Sequence, residues 1–188
     1  IAYNFIGQPT KHKHIHSAAG KATQSEVYSY SYDYADRLQT TTHCLNNGPV
    51  MTLVNNEYDE LGRLKHNRRN GQSNLHTNYA YNLRSWTESI SSPLFCETLY
   101  YNDTRSNPTN TRYYNGNISG MDWSVNGDKK RGYDFSYDNL SRLLYADYLE
   151  NNIRNHNFNT SYNYDKQGNI VSLMRSGNQN TTYGIIDN

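Results

Sequence analysis

His12, His14 and His16, in the segment KHKHIH, form the pattern in this 188-residue sequence closest to a metal-ligand set. Along an extended strand, residues two apart point the same way, so three imidazoles would share a face and could approach one transition-metal ion. No carboxylate or cysteine near them in the sequence completes the set, and Lys11, Lys13 and Ile15 fall on the opposite face. A solvated edge strand explains the alternation equally well. The recurring aspartates invite comparison with the paired carboxylates of glycoside hydrolysis, but each stands at a turn with an arginine close by, where an ionised structural role is natural. Serine and threonine are plentiful without a GxSxG elbow or a spacing that ties a nucleophile to a histidine. No enzyme activity and no cofactor are expected. Cys44 and Cys96 lack CxxC spacing and read as two small apolar strand residues rather than a bridge or a zinc site. Trp86 and Trp123, set among tyrosines and asparagines, offer rings on which a sugar could stack, which gives a carbohydrate-binding or adhesion module as the alternative function. The sequons at Asn102 and Asn159 matter only in a host that glycosylates them.

The elements that must carry these residues follow from composition and repetition. Only 35% of the chain is hydrophobic and its mean hydropathy is −0.99, values close to those of disordered segments. Against disorder stand 19 Tyr, 4 Phe and 2 Trp, which join apolar area to a polar handle and suit a thin core. A net charge of +1 from 18 basic and 17 acidic residues gives no field to draw in nucleic acid. No apolar run approaches the roughly 20 residues of a spanning helix, so membrane insertion by this segment is not expected. No leader-like segment stands at Ile1, and the pattern runs to both ends, which predicts a stretch excised from a longer protein.

One pattern returns along the chain: an aromatic, a spacer, Tyr-Asp, two free residues, a glycine-like residue, then Arg-Leu. Its clear copies are YSYDYADRL (Tyr30, Tyr32, Asp33, Arg37, Leu38), YDELGRL (Tyr58, Asp59, Gly62, Arg63, Leu64), FSYDNLSRL (Phe135, Tyr137, Asp138, Arg142, Leu143) and YNYDKQGNI (Tyr162, Tyr164, Asp165, Gly168, Ile170). Weaker copies open at Tyr3, Tyr79 and Tyr113, the last two shortened at the turn. Marker tyrosines at 3, 32, 58, 81, 114, 137 and 164 make residues 1–188 one array of about seven degenerate repeats.

Hairpin geometry supplies the reason. Aspartate opens a type I turn by capping backbone N–H groups, and glycine takes the left-handed position that ends a three-residue loop. Asp36 and Ser141 hold that place in two copies and must accept positive φ or use another turn. Asp33 then pairs with Arg37, Asp59 with Arg63 and Asp138 with Arg142, while Tyr32, Tyr58, Tyr137 and Tyr164 face Leu38, Leu64, Leu143 and Ile170. Alternation points Tyr30, Tyr32 and Tyr34 one way and Ser29, Ser31 and Asp33 the other, and Tyr133, Phe135 and Tyr137 do the same, predicting one buried aromatic face and an aromatic ladder along it.

Between motifs lie Asn47-Gly48, Asn70-Gly71, Asn115-Gly116 and Asn126-Gly127, with a weaker Ser176-Gly177. Loops are expected over 17–25, 103–109 and 150–157, and Pro49 and Pro93 at strand beginnings or edges. The result is an all-β antiparallel meander of about 14 to 16 strands, a sheet roughly 70 Å wide that must twist and curl.

The four clear copies resemble the YD repeats of the RHS family, found in bacterial wall-associated proteins, polymorphic toxins, insecticidal toxin complexes and animal teneurins. YNGNISGMDW and RGYDFSYDNLSRL resemble the large RHS proteins of Bacteroidetes. The resemblance implies hairpins wound into a hollow β-shell that, in toxin members, encloses a C-terminal toxin domain. It implies an extracellular or cell-surface bacterial protein whose partners are neighbouring repeats and that domain. No DPxG-type core motif is present, so no catalytic residue carries over.

Overall fold

The computed structural model describes residues 1–105, 108–177 and 182–186, and it is all-β and antiparallel. The chain forms two compact units, Ile1–Tyr79 and Ala80–Asn188. The first holds β1 (Ala2–Tyr3), β2 (Pro9–His16), β3 (Gln24–Tyr32), β4 (Leu38–Leu45), β5 (Val50–Tyr58), β6 (Leu64–Arg69), a 3-10 turn at Ser73–Leu75 and most of β7 (His76–Tyr81). The second holds β8 (Thr87–Ser91), β9 (Phe95–Tyr100), β10 (Gly120–Val125), β11 (Arg131–Tyr137), β12 (Leu143–Glu150), β13 (Ile153–Arg154), β14 (Thr160–Tyr164), β15 (Ile170–Ser176) and β16 (Thr182–Ile186). Strand order follows chain order, the signature of a meander; β13 alone stands off the path, paired to β12.

The register sets Tyr32 against Leu38, Tyr58 against Leu64, Tyr137 against Leu143 and Tyr164 against Ile170. Just before each of these tyrosines the register shifts by a residue, leaving Gln39, Lys65, Leu144 and Val171 as the extra residue on the returning strand. A bulge of this kind sharpens local twist. Strict alternation along the sequence gives no sign of it.

The connections between motifs depart from expectation in several places. Asn70 (φ 50°) and Gly71 (φ 61°), and Asn126 (φ 49°) and Gly127 (φ 70°), form turns with both central residues left-handed, as predicted. The turn expected at Asn47-Gly48 sits one residue earlier: Gly48 N–H donates to Leu45 O at 2.8 Å, and Asn46 and Asn47 take positive φ, which asparagine tolerates. The stretch expected as a loop over 150–157 contains a tight hairpin on Asn151 (φ 50°) and Asn152 (φ 63°) that joins β12 to β13. Asn115-Gly116 joins no pair of strands; it lies in a long excursion between β9 and β10 that has no strand among its described residues. The connection after Ser176-Gly177 lies outside the described residues.

Burial is shallow, as the composition requires. None of the described residues of the first unit is fully buried. In the second, the buried apolar residues are Tyr101, Ala146, Tyr148 and Leu149, with Ala146 and Tyr148 on the aromatic face of β12 and Leu149, 2% exposed, on the other. The aromatic face is not the only covered one: Gly120, Asp122, Gly132, Asp134 and Leu149, on the other face of β10–β12, are buried as well. Arg105, from the excursion before β10, lies against the first four of them.

Candidate functional site

Each motif turn is closed by the same set of bonds. Asp33 N–H donates to Arg37 O (2.9 Å), and Asp33 Oδ1 accepts from the N–H groups of Ala35 and Arg37 (both 2.9 Å). Its Oδ2 accepts from Arg37 Nε at 2.7 Å. Asp59 with Arg63 and Asp138 with Arg142 repeat the arrangement. Asp165 does so with Asn169 in the place of arginine. The left-handed position is held by Gly62 (φ 83°) and Gly168 (φ 93°), and Asp36 (φ 61°) and Ser141 (φ 62°) accept the same conformation. Bonds to the ionised carboxylate hold these aspartates below the usual carboxylate range, led by the Arg37 side chain at Asp33, the Arg142 N–H at Asp138 and the Asn169 side chain at Asp165. At Asp59 the same bonds overcome an opposing desolvation.

Two copies judged weak in sequence make the full turn with asparagine in the aspartate place. Asn4 N–H donates to Gln8 O and Asn82 N–H to Trp86 O, and Gly7 and Ser85 take positive φ. The copy at Tyr79 is therefore not shortened.

Successive turns are locked to one another by the tyrosine before each aspartate. Tyr32 Oη donates to Pro9 O (2.9 Å), Tyr58 Oη to Leu38 O (2.9 Å) and Tyr164 Oη to Leu143 O (2.8 Å). Each acceptor occupies the leucine place of the preceding motif. The arginine of one turn also lies on the tyrosine ring of the next: Arg37 Cζ is 4.5 Å from the Tyr58 centroid and Arg142 Cζ 4.8 Å from that of Tyr164. Arg142 Nη1 reaches Asp165 O at 3.0 Å, and in the first repeat Gln8 Nε2 reaches Asp36 O at 2.8 Å. The neighbour of these motif tyrosines is a guanidinium where the sequence predicted a ring. Tyr34, expected on the aromatic face, is 95% exposed because it sits at the turn tip.

The hydroxyl rule also corrects the fifth repeat. Tyr101 Oη donates to Thr87 O at 3.0 Å, so Tyr101 holds the marker place and Tyr114 does not. The turn that should follow is replaced by the excursion through 119, near the end of which Ile118 O accepts from Tyr137 Oη at 2.9 Å. From this excursion Arg105, its side chain 2% exposed, reaches across the sheet face. It donates to Asp122 Oδ1 through Nη2 at 2.7 Å and Nε at 3.0 Å, and to Asp134 Oδ1 through Nη1. Lys130 and Tyr100 complete Asp122, and Arg154 completes Asp134. Burial alone would raise Asp122; the donors around it outweigh that and hold it low, while burial and the Asp122 bond push Tyr100 up to about 12. Gly132 makes the room: a Cβ there would stand 2.5 Å from Asp122 Oδ1. Sequence reasoning missed this cluster, whose one trace is the doubled Gly-x-Asp of Gly120–Asp122 and Gly132–Asp134.

The other candidates fall as follows. Tyr30, Phe135 and Tyr162 are half-buried strand residues. Trp86 and Trp123 are half-buried and engaged by protein rings, Trp86 with Tyr101 and Trp123 stacked on Tyr133 at 5.7 Å. Cys44 and Cys96 are free thiols. His12, His14 and His16 share a face of β2, and a carboxylate does stand near them: Glu26, opposite His14 on β3.

No family model matches the sequence, and no curated protein does. Among solved structures, a crystal structure of TcdB2–TccC3 superposes on 98% of this chain with a TM-score of 0.64 at 12% identity. The likeness is one of fold. This chain spans 12% of the length of the TcdB2–TccC3 chain. A structure of the Photorhabdus luminescens Tc holotoxin pore aligns over 84% of this chain and 12% of its own, at 10% identity, but its TM-score of 0.38 is too low to argue from.

Proposed function

We propose that this chain is a non-catalytic wall segment of an RHS-type YD-repeat shell, in a bacterial cell-surface or extracellular protein, which encloses or presents a C-terminal toxin domain of the same polypeptide. The observation that carries the reading is the bond from Tyr32, Tyr58 and Tyr164 to the preceding turn, with an arginine laid over the ring at Tyr58 and Tyr164. Such a lock joins each hairpin to its neighbour, so the unit can be repeated without a central core. Fold likeness to TcdB2–TccC3 supports it. The carboxylates that might have served chemistry are committed to turns or to Arg105. Both tryptophans are covered by protein rings, so no observation favours the glycan-binding alternative.

The test is limited proteolysis of the full-length parent protein. Sequence beyond the wall should resist protease in the intact protein and become cleavable when Tyr58→Phe and Tyr164→Phe loosen the repeats. Equal digestion of both forms from the outset would overturn the enclosing role.

A further inference from the structure

We propose that the exposed face of β2 and β3 is a transition-metal site, in which His12 and His14 bind a borderline divalent ion such as zinc together with Glu26. The register sets His14 opposite Glu26, His12 opposite Tyr28 and His16 opposite Gln24, so all three imidazoles and the carboxylate project from one side of the sheet. His14 Nδ1 is already 4.0 Å from Glu26 Oε2. Imidazoles two apart on a strand stand about 6.6 Å from one another at the backbone, and each can swing its ring nitrogen toward a shared ion about 2.1 Å away. The residue opposite the middle imidazole is the nearest cross-strand donor, about 5 Å away at Cα, and here it is a carboxylate. Two imidazoles and one carboxylate are a donor set for zinc, nickel or copper, with remaining positions left to water; calcium and magnesium would demand oxygen donors.

Nothing on this face opposes assembly. Lys11 and Lys13 project from the other face, and β1 pairs with β2 only at Lys11 and Pro9, leaving the flank of residues 12–16 without a strand partner on that side among the described residues. Among the described residues no three donors stand at ligand distance together, so binding proceeds by side-chain rotation. The side chains of His14 and Glu26 are 63% and 39% exposed and have room to rotate. The site is independent of the wall reading, because none of its ligands belongs to a turn or to the lock.

The experiment is calorimetric titration of the 188-residue chain with zinc chloride near neutral pH, with nickel chloride as a second probe. The expected result is one saturable site, weakened about tenfold or more by His14→Ala and by Glu26→Gln, each tenfold being about 1.4 kcal/mol. His156→Asn, in the other unit, should bind as the parent does. Both test positions are exposed, and unchanged far-UV circular dichroism shows that the sheet persists. Absence of saturable binding by the parent overturns the proposal. So does undiminished binding by either test variant, or an equal loss in His156→Asn.

Discussion

At the scale of the residue, each position of the motif does two jobs. Tyr58 packs its ring under Arg37 and caps Leu38 O with its hydroxyl. Removing only the hydroxyl, in Tyr58→Phe, leaves Leu38 O with the Asn56 amide, at 3.1 Å, as its remaining side-chain donor and should lower stability by about 1 kcal/mol in urea unfolding. Asp36 carries the opposite lesson. It is a non-glycine residue at φ 61° at a turn tip. Asp36→Gly should raise the urea midpoint, by roughly 0.5 kcal/mol of stability after the added freedom of the unfolded chain is deducted. These turn positions were legible in the sequence because Asp, Gly and Arg recur at fixed offsets, and turn chemistry is local. The use of arginine between repeats was not legible, since its reach to Tyr58 depends on the separation of strands that hairpin spacing alone does not set.

At the scale of the element, the excursion between β9 and β10 shows what happens when a turn is replaced. The motif tyrosine, Tyr101, still finds its carbonyl, while Arg105 carries the new loop onto the opposite face. Arg105→Met should cost about 3 kcal/mol, because two buried carboxylates keep only their outer partners. Gly132→Ala should also destabilise, its Cβ falling 2.7 Å from Met121 O as well as against Asp122. The acid response has a definite sign. Asp122 is held below its ordinary value of 3.8 in the folded chain, so its contribution is present above that pH and is lost as pH falls through the lowered folded value. Urea midpoints should therefore drop as pH falls below 3.8 in the parent, and less in Arg105→Met. Sequence pattern placed the strands around this loop but could not locate the marker tyrosine, because Tyr101 is followed by Asn102-Asp103 without the glycine and Arg-Leu that complete the motif. The tight hairpin at Asn151-Asn152 was hidden for a different reason: two asparagines serve a left-handed turn as well as Asn-Gly does.

At the scale of the whole molecule, the chain behaves as an array whose order is held by neighbours. The two units differ in how far burial assists: the first has no fully buried residue among those described, and the second has buried Tyr148 and Leu149, one on each face of β12, and the Arg105 cluster. Hydrogen exchange should consequently be faster in β2–β6 than in β10–β12. The all-β meander was readable from turn spacing because most connections, the excursion between β9 and β10 apart, are tight turns that join adjacent strands. Beyond the strand pairing, adjacent hairpins are joined by the lock between turns, and it is tested most directly by a double-mutant cycle on Arg37→Ala and Tyr58→Leu, read as urea midpoints. If the guanidinium and the ring act together across the repeat boundary, the double variant loses less than the sum of the single losses. Losses that simply add would mean that the two residues stabilise only their own turns, and the account of a repeat-to-repeat lock would fall.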